Sequence, residues 1–223
     1  MPFAGISYKV LPGHADSIAT IFSPENFQRV DSPVMRDEAG EELGYLICTG
    51  LFLATDTIVR VIQHDGGTAQ DVGRHMSVQD GVHAAERELM PFLREPRDTE
   101  TAAGFLAHFD RSMMDVLDLR QIDNRPAAGL LALRYRIRPV PAAQVASLLP
   151  RESLRLRPPH ADEPGAGRII ATFLLVKDDS VVRVVQCAGR DPEEAIGFLL
   201  AQPPPVAMDA WLAALIVGVV LLA

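Results

Sequence analysis

Three apolar runs in the N-terminal half have the pattern of β-strands. Phe3–Val10 alternates apolar and polar residues, while Tyr45–Leu53 and Thr57–Gln63 are apolar and rich in β-branched residues. The short stretch Ala54-Thr55-Asp56 between the last two runs predicts a hairpin turn. We therefore expect one strand that is followed, after an interval, by a β-hairpin.

Helices and a loop are predicted between and after these strands. Pro12-Gly13-His14 marks a turn into a short helix that ends at Phe22, and the charged, turn-rich segment from Ser23 to Glu42 predicts a loop. Thr68 to Val78 has helical spacing of its apolar residues. Val82 to Leu93 fits a strand or a helix, and we favour a fourth strand. The resulting order, βαββαβ, is that of a ferredoxin-like α+β fold.

The same pattern returns in the C-terminal half. GYLICTGLFLATDTIVRVIQHDG at 44–66 aligns without a gap with GRIIATFLLVKDDSVVRVVQCAG at 167–189, at an offset of 123. Ser7–Pro12 matches Arg134–Pro139 at an offset of 127. The two offsets differ by four residues, and this difference falls in a loop, where insertions are tolerated. This internal repeat predicts a duplication. Identical pairs include Thr49 with Thr172, Asp56 with Asp179, Arg60 with Arg183 and Gln63 with Gln186.

We therefore divide the chain into a first ferredoxin-like repeat at 1–95, a linker with a helix at 96–127 and a second repeat at 128–223. The linker helix is expected from Thr99 to Leu117. A sheet covered by helices on one face has a second apolar face that must be buried. If the tandem repeats pack as an intramolecular dimeric α+β barrel around one cavity, the second apolar face of each sheet is buried. The elements expected in the second copy are Leu131–Ile137, Ala142–Leu149, Arg168–Val176, Ser180–Gln186, Pro192–Gln202 and a segment from Val206 onward.

Composition narrows the classes of function. The net charge is -8, and Lys and Arg are scattered singly, which argues against a nucleic-acid partner. Cys48 and Cys187 lie in apolar runs without metal-ligand spacing, so we expect them to be reduced and buried. No basic n-region follows Met1, which predicts a cytoplasmic protein. The apolar segment 210–223 is shorter than the roughly 20 residues of a spanning helix, so we expect burial there rather than membrane contact.

Four segments of the N-terminal half resemble one known family. They are NFQRVDSPVMRDE at 26–38, VRVIQHDG at 59–66, RHMSVQDGVHAAERELMPFL at 74–93 and EPRDTET at 95–101. Together they resemble the SchA/CurD-like proteins, which are encoded beside type II aromatic polyketide synthases in actinomycetes, including spore-pigment pathways. The resemblance covers about the first 120 residues closely, and the second copy only at the level of the fold.

The resemblance implies the dimeric α+β barrel superfamily, which contains cofactor-independent monooxygenases and polyketide cyclases. It therefore implies an enzyme that oxidises an anthrone- or phenol-type polycyclic polyketide to a quinone with molecular oxygen. The ionised polyphenol can itself reduce dioxygen, so the protein needs an apolar slot, a base and donors for an oxyanion. We expect no cofactor and no metal, and the sequence has neither a glycine-rich nucleotide loop nor an HxxxH pair.

Histidines are the candidate bases because imidazole titrates near neutral pH. His83 is our preferred catalytic base and His75 the second choice, while His64, at the end of the preceding strand, is a candidate for substrate binding. Surface or capping histidines are the competing interpretation. One asymmetric active site would explain why the polar residues occur in one copy. In the second copy, His64 aligns with Cys187, His75 with Phe198 and His83 with Val206.

Four further residues are candidates for substrate binding. Asn26 and Arg29, in the long loop, could donate to a polyketide carbonyl, although a solvated loop is the alternative. Tyr45 could face the cavity or solvent, and Trp211 could stack on a flat ring or fill the core. Arg60 and its repeat counterpart are interpreted as structural ion pairs with the aspartate four residues earlier.

Two other functions stay open at this point. One is a cyclase that directs ring closure in the same cavity, and the other is a non-catalytic accessory protein that binds the poly-β-ketone or the synthase. The histidines of the first copy favour an enzyme. An aromatic polyketide and molecular oxygen are the expected partners, and the apolar tail from Trp211 to Ala223 leaves homodimerisation open.

Overall fold

The computed structural model describes residues 2–23, 25–27, 31–121, 129–136, 169–188, 212–216 and 218–222. The protein is a mixed α+β chain of two units, Met1–Met114 with Val219–Ala223, and Asp115–Gly218. Each unit contains one sheet built on antiparallel strand pairs. Several predictions lie outside the described residues, namely the helices Ala142–Leu149 and Pro192–Gln202 and the site residues Arg29 and Trp211.

The sheet of the first unit combines an N-terminal strand, a hairpin and the last strand of the chain. Its order is β1-β4-β3-β10, and β2 pairs with β3. The short β2 lies within the segment predicted as a loop, because β3 begins at Glu42 and offers it an edge. The strands are β1 (Phe3–Lys9), β2 (Val34–Arg36), β3 (Glu42–Leu53), β4 (Thr57–Gly66) and β10 (Gly218–Leu222).

The helices of the first unit cover one face of this sheet. They are α1 (Ala15–Ile21), α2 (Ala69–Met76), α3 (Asp80–Leu89) and α4 (Ala102–Ser112). α2 begins at a capping box, in which Thr68 and Asp71 each accept a hydrogen bond from the backbone of the other. Within the described part of the chain, no helix is long and apolar enough to cross a membrane. One core joins the helices to alternate residues of β1 and β4, and it includes Ile6, Tyr8, Ile58, Ile62, Val72, Leu89, Phe105 and Phe109.

The segment Val82–Leu93, for which we favoured a strand, is helical. It lies in α3 and in a short 3-10 helix at Met90–Phe92. Val82, Ala85 and Leu89 are buried at spacings of three and four residues, which is the period of a helix packed on a core. Leu93 alone keeps a strand-like contact in this segment, an isolated bridge to Val10, which directly follows β1. The prediction was wrong because a short apolar run fits both periods.

The linker helix is shorter than predicted. α4 ends at Ser112, after which Met113 has extended backbone and bridges to Ile6 of β1. Strand β5 (Asp115–Gln121) follows, so Val116 lies on a strand rather than on the helix. Phe105 and Phe109 of α4 are buried in the core of the first unit.

The sheet of the second unit has the order β5-β7-β8-β6-β9. The predicted strands of the second copy fall on β6, β7 and β8, with small shifts at their ends. The apolar C-terminal segment contributes strands β9 and β10. The strands not yet given are β6 (Gly129–Arg136), β7 (Ile169–Lys177), β8 (Ser180–Cys187) and β9 (Leu212–Ile216).

Strand pairing in the two sheets has the same register. Ile6 is opposite Arg60 in the first sheet, and Leu133 is opposite Arg183 in the second. These pairs correspond under the offsets of 127 and 123 in the sequence alignment. Both hairpins also have a register shift at the aligned place, between Leu46 and Cys48 and between Ile169 and Ala171.

Candidate active site

Tyr8 and Arg60 lie on the helix-covered face of the first sheet. Arg60 is opposite Ile6 and Tyr8 is opposite Ile58, and opposed residues of an antiparallel pair share a face. Residues two apart on a strand also share a face. Both side chains are buried, with 8% of Tyr8 and 3% of Arg60 exposed. A phenol and a guanidinium therefore point from the sheet toward the helices.

The helices and the segment between them contribute three more polar side chains. Glu86 is on α3, His108 is on α4, and Arg97 lies between these helices. Nη2 of Arg97 donates to Oε2 of Glu86, and Nη1 donates to Nε2 of His108. Glu86 and Arg97 are both buried. A buried carboxylate is costly unless it is paired, so Arg97 is what keeps Glu86 in place.

Arg97 also contacts the sheet through Tyr8. Its guanidinium carbon lies 4.4 Å from the centroid of the Tyr8 ring, which is a cation–π contact. The His108 ring meets the same ring edge-on, with 5.7 Å between centroids. We call Tyr8, Arg60, Glu86, Arg97 and His108 the buried polar cluster.

The hydroxyl of Tyr8 is buried, and no group within the described ranges accepts a hydrogen bond from its O–H, since the neighbouring Arg97 side chain can only donate to the oxygen. Burial and the charge of Glu86 raise the pKa of Tyr8, against the opposing effect of Arg97 and Arg60. The phenol is therefore protonated at neutral pH, and its O–H is available as a donor. Because an unsatisfied buried hydroxyl costs free energy, a ligand that accepts this hydrogen bond would be stabilised.

His108 is an uncharged nitrogen base. Burial, followed by the charges of Arg97 and Arg111, lowers the pKa of His108 to about 3. The ring is therefore neutral at physiological pH. Since its Nε2 accepts the hydrogen bond from Arg97, the proton of the neutral ring resides on Nδ1.

The cluster holds more positive than negative charge. Arg97 is paired with Glu86, whereas Arg60 forms no ion pair with any carboxylate that the structure describes. Nε of Arg60 lies 3.5 Å from Oγ1 of Thr49, and its guanidinium carbon is 5.6 Å from the centroid of the Phe27 ring. Burial lowers the pKa of Arg60, which reflects the cost of a charge in this position.

His83, the preferred base, has both ring nitrogens on backbone carbonyls. Nδ1 lies 2.6 Å from the oxygen of Thr99, and Nε2 lies 2.7 Å from the oxygen of Ser77. A neutral imidazole donates one of these hydrogen bonds and an imidazolium donates both. The ring thus ties the start of α3 to two other segments, and its role as a base stays a prediction.

His75 and His64 are also bonded to carbonyls. Nε2 of His75 lies 2.7 Å from the oxygen of Ser32, and burial lowers the pKa of His75. Nδ1 of His64 lies 2.9 Å from the oxygen of Gly66. His75 lines an open groove of about 500 Å³, whose other walls include Val34, Arg36, Asp37, Glu38, Arg74 and Gln79.

Asn26 and Tyr45 lie at the surface rather than in the cluster. Nδ2 of Asn26 donates to the carbonyl of Thr20 at the end of α1. Tyr45 is 46% exposed, and its hydrogen bond to Asp65 raises the pKa of Tyr45. The structure therefore brings none of the described candidates together at one site. Their roles in binding and catalysis stay predictions.

The predicted ion pair between Asp56 and Arg60 is wrong. Asp56 lies in the turn before β4, with Oδ2 4.0 Å from Nζ of Lys9, whereas Arg60 points toward the helices. Asp179, in the equivalent turn, lies 3.9 Å from Arg134. The prediction failed because a turn residue does not follow the alternation of the strand after it.

Sequence reasoning did not select the cluster, although signals for it are visible. Glu86 and Arg97 fall in the segments at 74–93 and 95–101 that carry the family resemblance, and Arg60 is one of the identical pairs of the repeat. Glu86 also interrupts the apolar face of α3, three residues before Leu89. A charge at a core position is a signal of a paired or functional group. No three His, Cys, Asp or Glu side chains converge as metal ligands in the residues that the structure describes.

Comparison with known proteins identifies the family. The model of the SchA/CurD-like domain matches residues 1–121. The chain belongs to the SchA/CurD-like family. All five residues of the buried polar cluster fall inside the matched region. Membership supports a role in polyketide tailoring, and no curated protein matches the chain.

Two solved structures are similar to this chain in fold. One is a candidate monooxygenase from Fusobacterium nucleatum subsp. nucleatum, with 7% identity and a TM-score of 0.44, covering 97% of this chain and 91% of the other. The second is an anthrone oxidase-like protein with 12% identity and a TM-score of 0.44, covering 99% and 96%. Similarity at this level does not identify an activity.

Proposed function

We propose that this SchA/CurD-like protein is a cofactor-independent monooxygenase that oxidises an anthrone- or phenol-type polyketide to a quinone. Its active site in this proposal is the buried polar cluster. The observation that carries the proposal is an unpartnered Tyr8 hydroxyl beside Arg97 and the neutral base His108, all below the helices of the first unit. Family membership supplies the polyketide pathway.

The cluster provides the donors that this chemistry needs. When an anthrone loses a proton from its CH₂ carbon, the negative charge of the enolate lies largely on oxygen. The O–H of Tyr8 and the N–H groups of Arg97 are donors for such an oxygen, and Arg60 adds a second positive charge on the same sheet face. Donors fixed in buried surroundings stabilise an oxyanion more strongly than water does.

His108 accepts the proton in this mechanism. Its Nε2 lone pair is occupied by Arg97 in the free protein, and it becomes available when Arg97 turns to the substrate oxygen. Because the charge of Arg97 is one cause of the low pKa of His108, the imidazole becomes more basic when Arg97 turns away, and the resulting imidazolium later returns its proton to the peroxide oxygen. The enolate thus keeps its charge beside the guanidinium groups.

The bound enolate then reacts with molecular oxygen. One electron passes from the ring carbon to O₂, and the two radicals combine to form the new C–O bond. The resulting peroxide anion takes up a proton to give a hydroperoxide, and water is eliminated as the O–O bond and the second C–H bond break, which leaves the quinone carbonyl. One CH₂ group and one O₂ give one C=O group and one water, so no further reductant is needed.

We expect the two halves to be ferredoxin-like repeats from a duplication, packed as an intramolecular α+β barrel in a cytoplasmic protein. The shared register of the Ile6–Arg60 and Leu133–Arg183 pairs supports the common origin.

Anthrone oxidation by metal-stripped protein tests the function. Dithranol or emodin anthrone is incubated with the protein in air and under nitrogen, and quinone absorbance is followed. We expect oxygen-dependent quinone formation above the uncatalysed rate, with large losses in Tyr8→Phe and His108→Gln. The variants His83→Ala and His75→Ala, measured alongside, test the two bases predicted from the sequence.

Two results would overturn parts of this proposal. If the anthrone binds without faster oxidation, the monooxygenase is wrong for this substrate class, and a cyclase or an accessory binding protein explains the buried polar cluster better. If oxidation is fast but persists in Tyr8→Phe and His108→Gln while His83→Ala abolishes it, the active site is elsewhere.

A further inference from the structure

Arg60 is a buried charge without a counter-ion in the described structure. Only 3% of its surface is exposed, and its contacts are the long hydrogen bond to Thr49 and the ring of Phe27. Its two terminal nitrogens donate to no acceptor that the structure describes. Glu86, the carboxylate whose charge acts on Arg60, is already bound by Arg97.

A purely structural explanation fits Arg60 poorly. Burying a charge costs several kcal/mol, about as much as a folded domain can lose, unless a partner offsets the cost. The Glu86–Arg97 pair shows such an offset within the same cluster. Arg60 lacks one, although an apolar residue of similar length would fill its place at lower cost.

The orientation of Arg60 suits recognition of an oxygen anion. Phe27 covers one face of the guanidinium, and Thr49 contacts Nε, which leaves the edge with Nη1 and Nη2. That edge is the fork with which arginine binds two oxygen atoms, or one charged oxygen, in a single plane. The hydroxyl of Tyr8, which needs an acceptor, belongs to the same buried polar cluster.

We infer that Arg60 is an anion-binding residue, and that the ligand enters the site with an ionised oxygen, a phenolate or a carboxylate, on a planar aromatic ring. The aromatic part of this inference rests on the proposed function. The anionic part rests on Arg60 itself. The site thereby selects ionised polycycles over neutral ones of the same shape.

Stable ring systems that are not oxidised test the inference without turnover. The probes are 1,8-dihydroxyanthraquinone for a phenolate, anthraquinone-2-carboxylate for a carboxylate, and 1,8-dimethoxyanthraquinone as the neutral match. Dissociation constants are measured by titration for the wild-type protein, Arg60→Met, Arg60→Lys and Arg87→Met. Arg87 is a matched control because it is exposed and pairs only loosely with Glu100, at 3.6 Å.

Wild-type protein should prefer one ionised probe to the neutral probe by about tenfold or more, which is the effect of one charge-assisted hydrogen bond. Arg60→Met should lose this preference and bind the neutral probe as before. Arg60→Lys should keep part of the preference, and Arg87→Met all of it. Bound dihydroxyanthraquinone should also show phenolate absorbance below the pH at which the free dye ionises. The preferred ionised probe tells whether phenolate or carboxylate is recognised.

A wild-type protein that prefers neither ionised probe overturns the inference, and so does an Arg60→Met variant that retains the preference. Thermal unfolding of the free proteins provides a second measurement. An anion-binding Arg60 predicts that Arg60→Met unfolds no earlier than wild type, whereas a structural Arg60 predicts a clear loss. If Arg60→Met does not fold, Arg60→Gln is measured instead, and a folded Arg60→Gln variant that retains the preference has the same negative meaning. If the protein binds the anionic probe selectively but does not accelerate anthrone oxidation, the proposed function is refuted and the anion-binding role of Arg60 stands.

Discussion

Tyr8 and Arg60 in the first unit correspond to Tyr135 and Arg183 in the second, yet the two pairs have different surroundings. Each tyrosine is opposite an equivalent strand residue, Ile58 or Val181. Burial raises the pKa of both tyrosines. In the first unit the charges of Glu86, Arg97 and Arg60 also act on the tyrosine, whereas among the described residues of the second unit Arg183 is the charge that acts on Tyr135.

In the first unit the additional charges come from the helical layer. Glu86 is on α3, His108 is on α4 and Arg97 is between them, and this whole region falls in the matched SchA/CurD-like domain. Strand register is set by the overall hydrophobic pattern and by turn geometry, so it can be kept when single side chains on the helix-covered face differ. The two sheets thus share their strand register, and the candidate site of the first unit is built from its own strands, helices and the segment between α3 and α4.

The largest effect is expected from breaking the buried ion pair. Glu86→Gln leaves Arg97 as an unpaired buried charge, so the variant should lose about 3–5 kcal/mol of stability, together with its activity. Chemical denaturation followed by circular dichroism measures the loss. The control is Glu100→Gln, which removes the exposed partner of Arg87 and should cost about 0–1 kcal/mol.

A double substitution separates charge from packing in this pair. Glu86→Leu with Arg97→Met removes both charges and should restore most of the stability lost in Glu86→Gln, because neither charge is then left unpaired. Equal stability losses in Glu86→Gln and Glu100→Gln would show that the buried pair is not what holds α3, the following segment and α4 together.

The comparison of the two tyrosines predicts opposite consequences for the same chemical change. Tyr8→Phe removes an unsatisfied buried hydroxyl, so stability should stay constant or rise by about 1 kcal/mol. Its kcat/KM for an anthrone should fall about 10- to 100-fold, through loss of one donor to the oxyanion. Tyr135→Phe should leave kcat/KM unchanged. A similar drop in both variants would show that the second unit takes part in the reaction.

Stability should depend on pH through His108. Its pKa is about 3 in the folded protein and near 6.5 in an unfolded chain. Between these values the unfolded chain binds a proton that the folded protein does not, so stability falls as pH decreases from about 6.5 toward 3. The contribution is at most about 1.4 kcal/mol per pH unit.

His108→Gln removes this titration. The free energy of unfolding of this variant should therefore fall less between pH 7 and pH 4 than that of the wild-type protein. His14→Gln, which changes an exposed histidine on another element, serves as the control. Parallel curves for wild type and His108→Gln would mean that His108 does not resist protonation in the folded state.

Prediction from the sequence succeeded where the local pattern of apolar and β-branched residues is enough to decide the secondary structure. The hairpin of β3 and β4 has strong β-branched character, and three of the four strands predicted in the first copy lie within or close to observed ones. The segment of α3 was misassigned because its apolar residues fit two periods and only the core could choose between them. The cluster was missed for a related reason. Arg60, Arg97 and His108 are far apart in sequence, and their meeting depends on how three elements pack.

The smallest effect is expected in the two hairpin turns before β4 and β8, which occupy equivalent positions in the two units. Asp56 and Asp179 each accept a hydrogen bond from the hydroxyl that follows them, and each lies near one basic side chain. Asp56→Asn and Asp179→Asn should therefore lower stability by similar amounts, each within about 1 kcal/mol, because the ion pairs are long and partly exposed. Thermal unfolding at low and at high salt measures both, and salt should reduce both effects equally. A large cost at Asp179 alone would break the equivalence, since Arg134 is far more buried than Lys9 and would then depend on its aspartate for neutralisation.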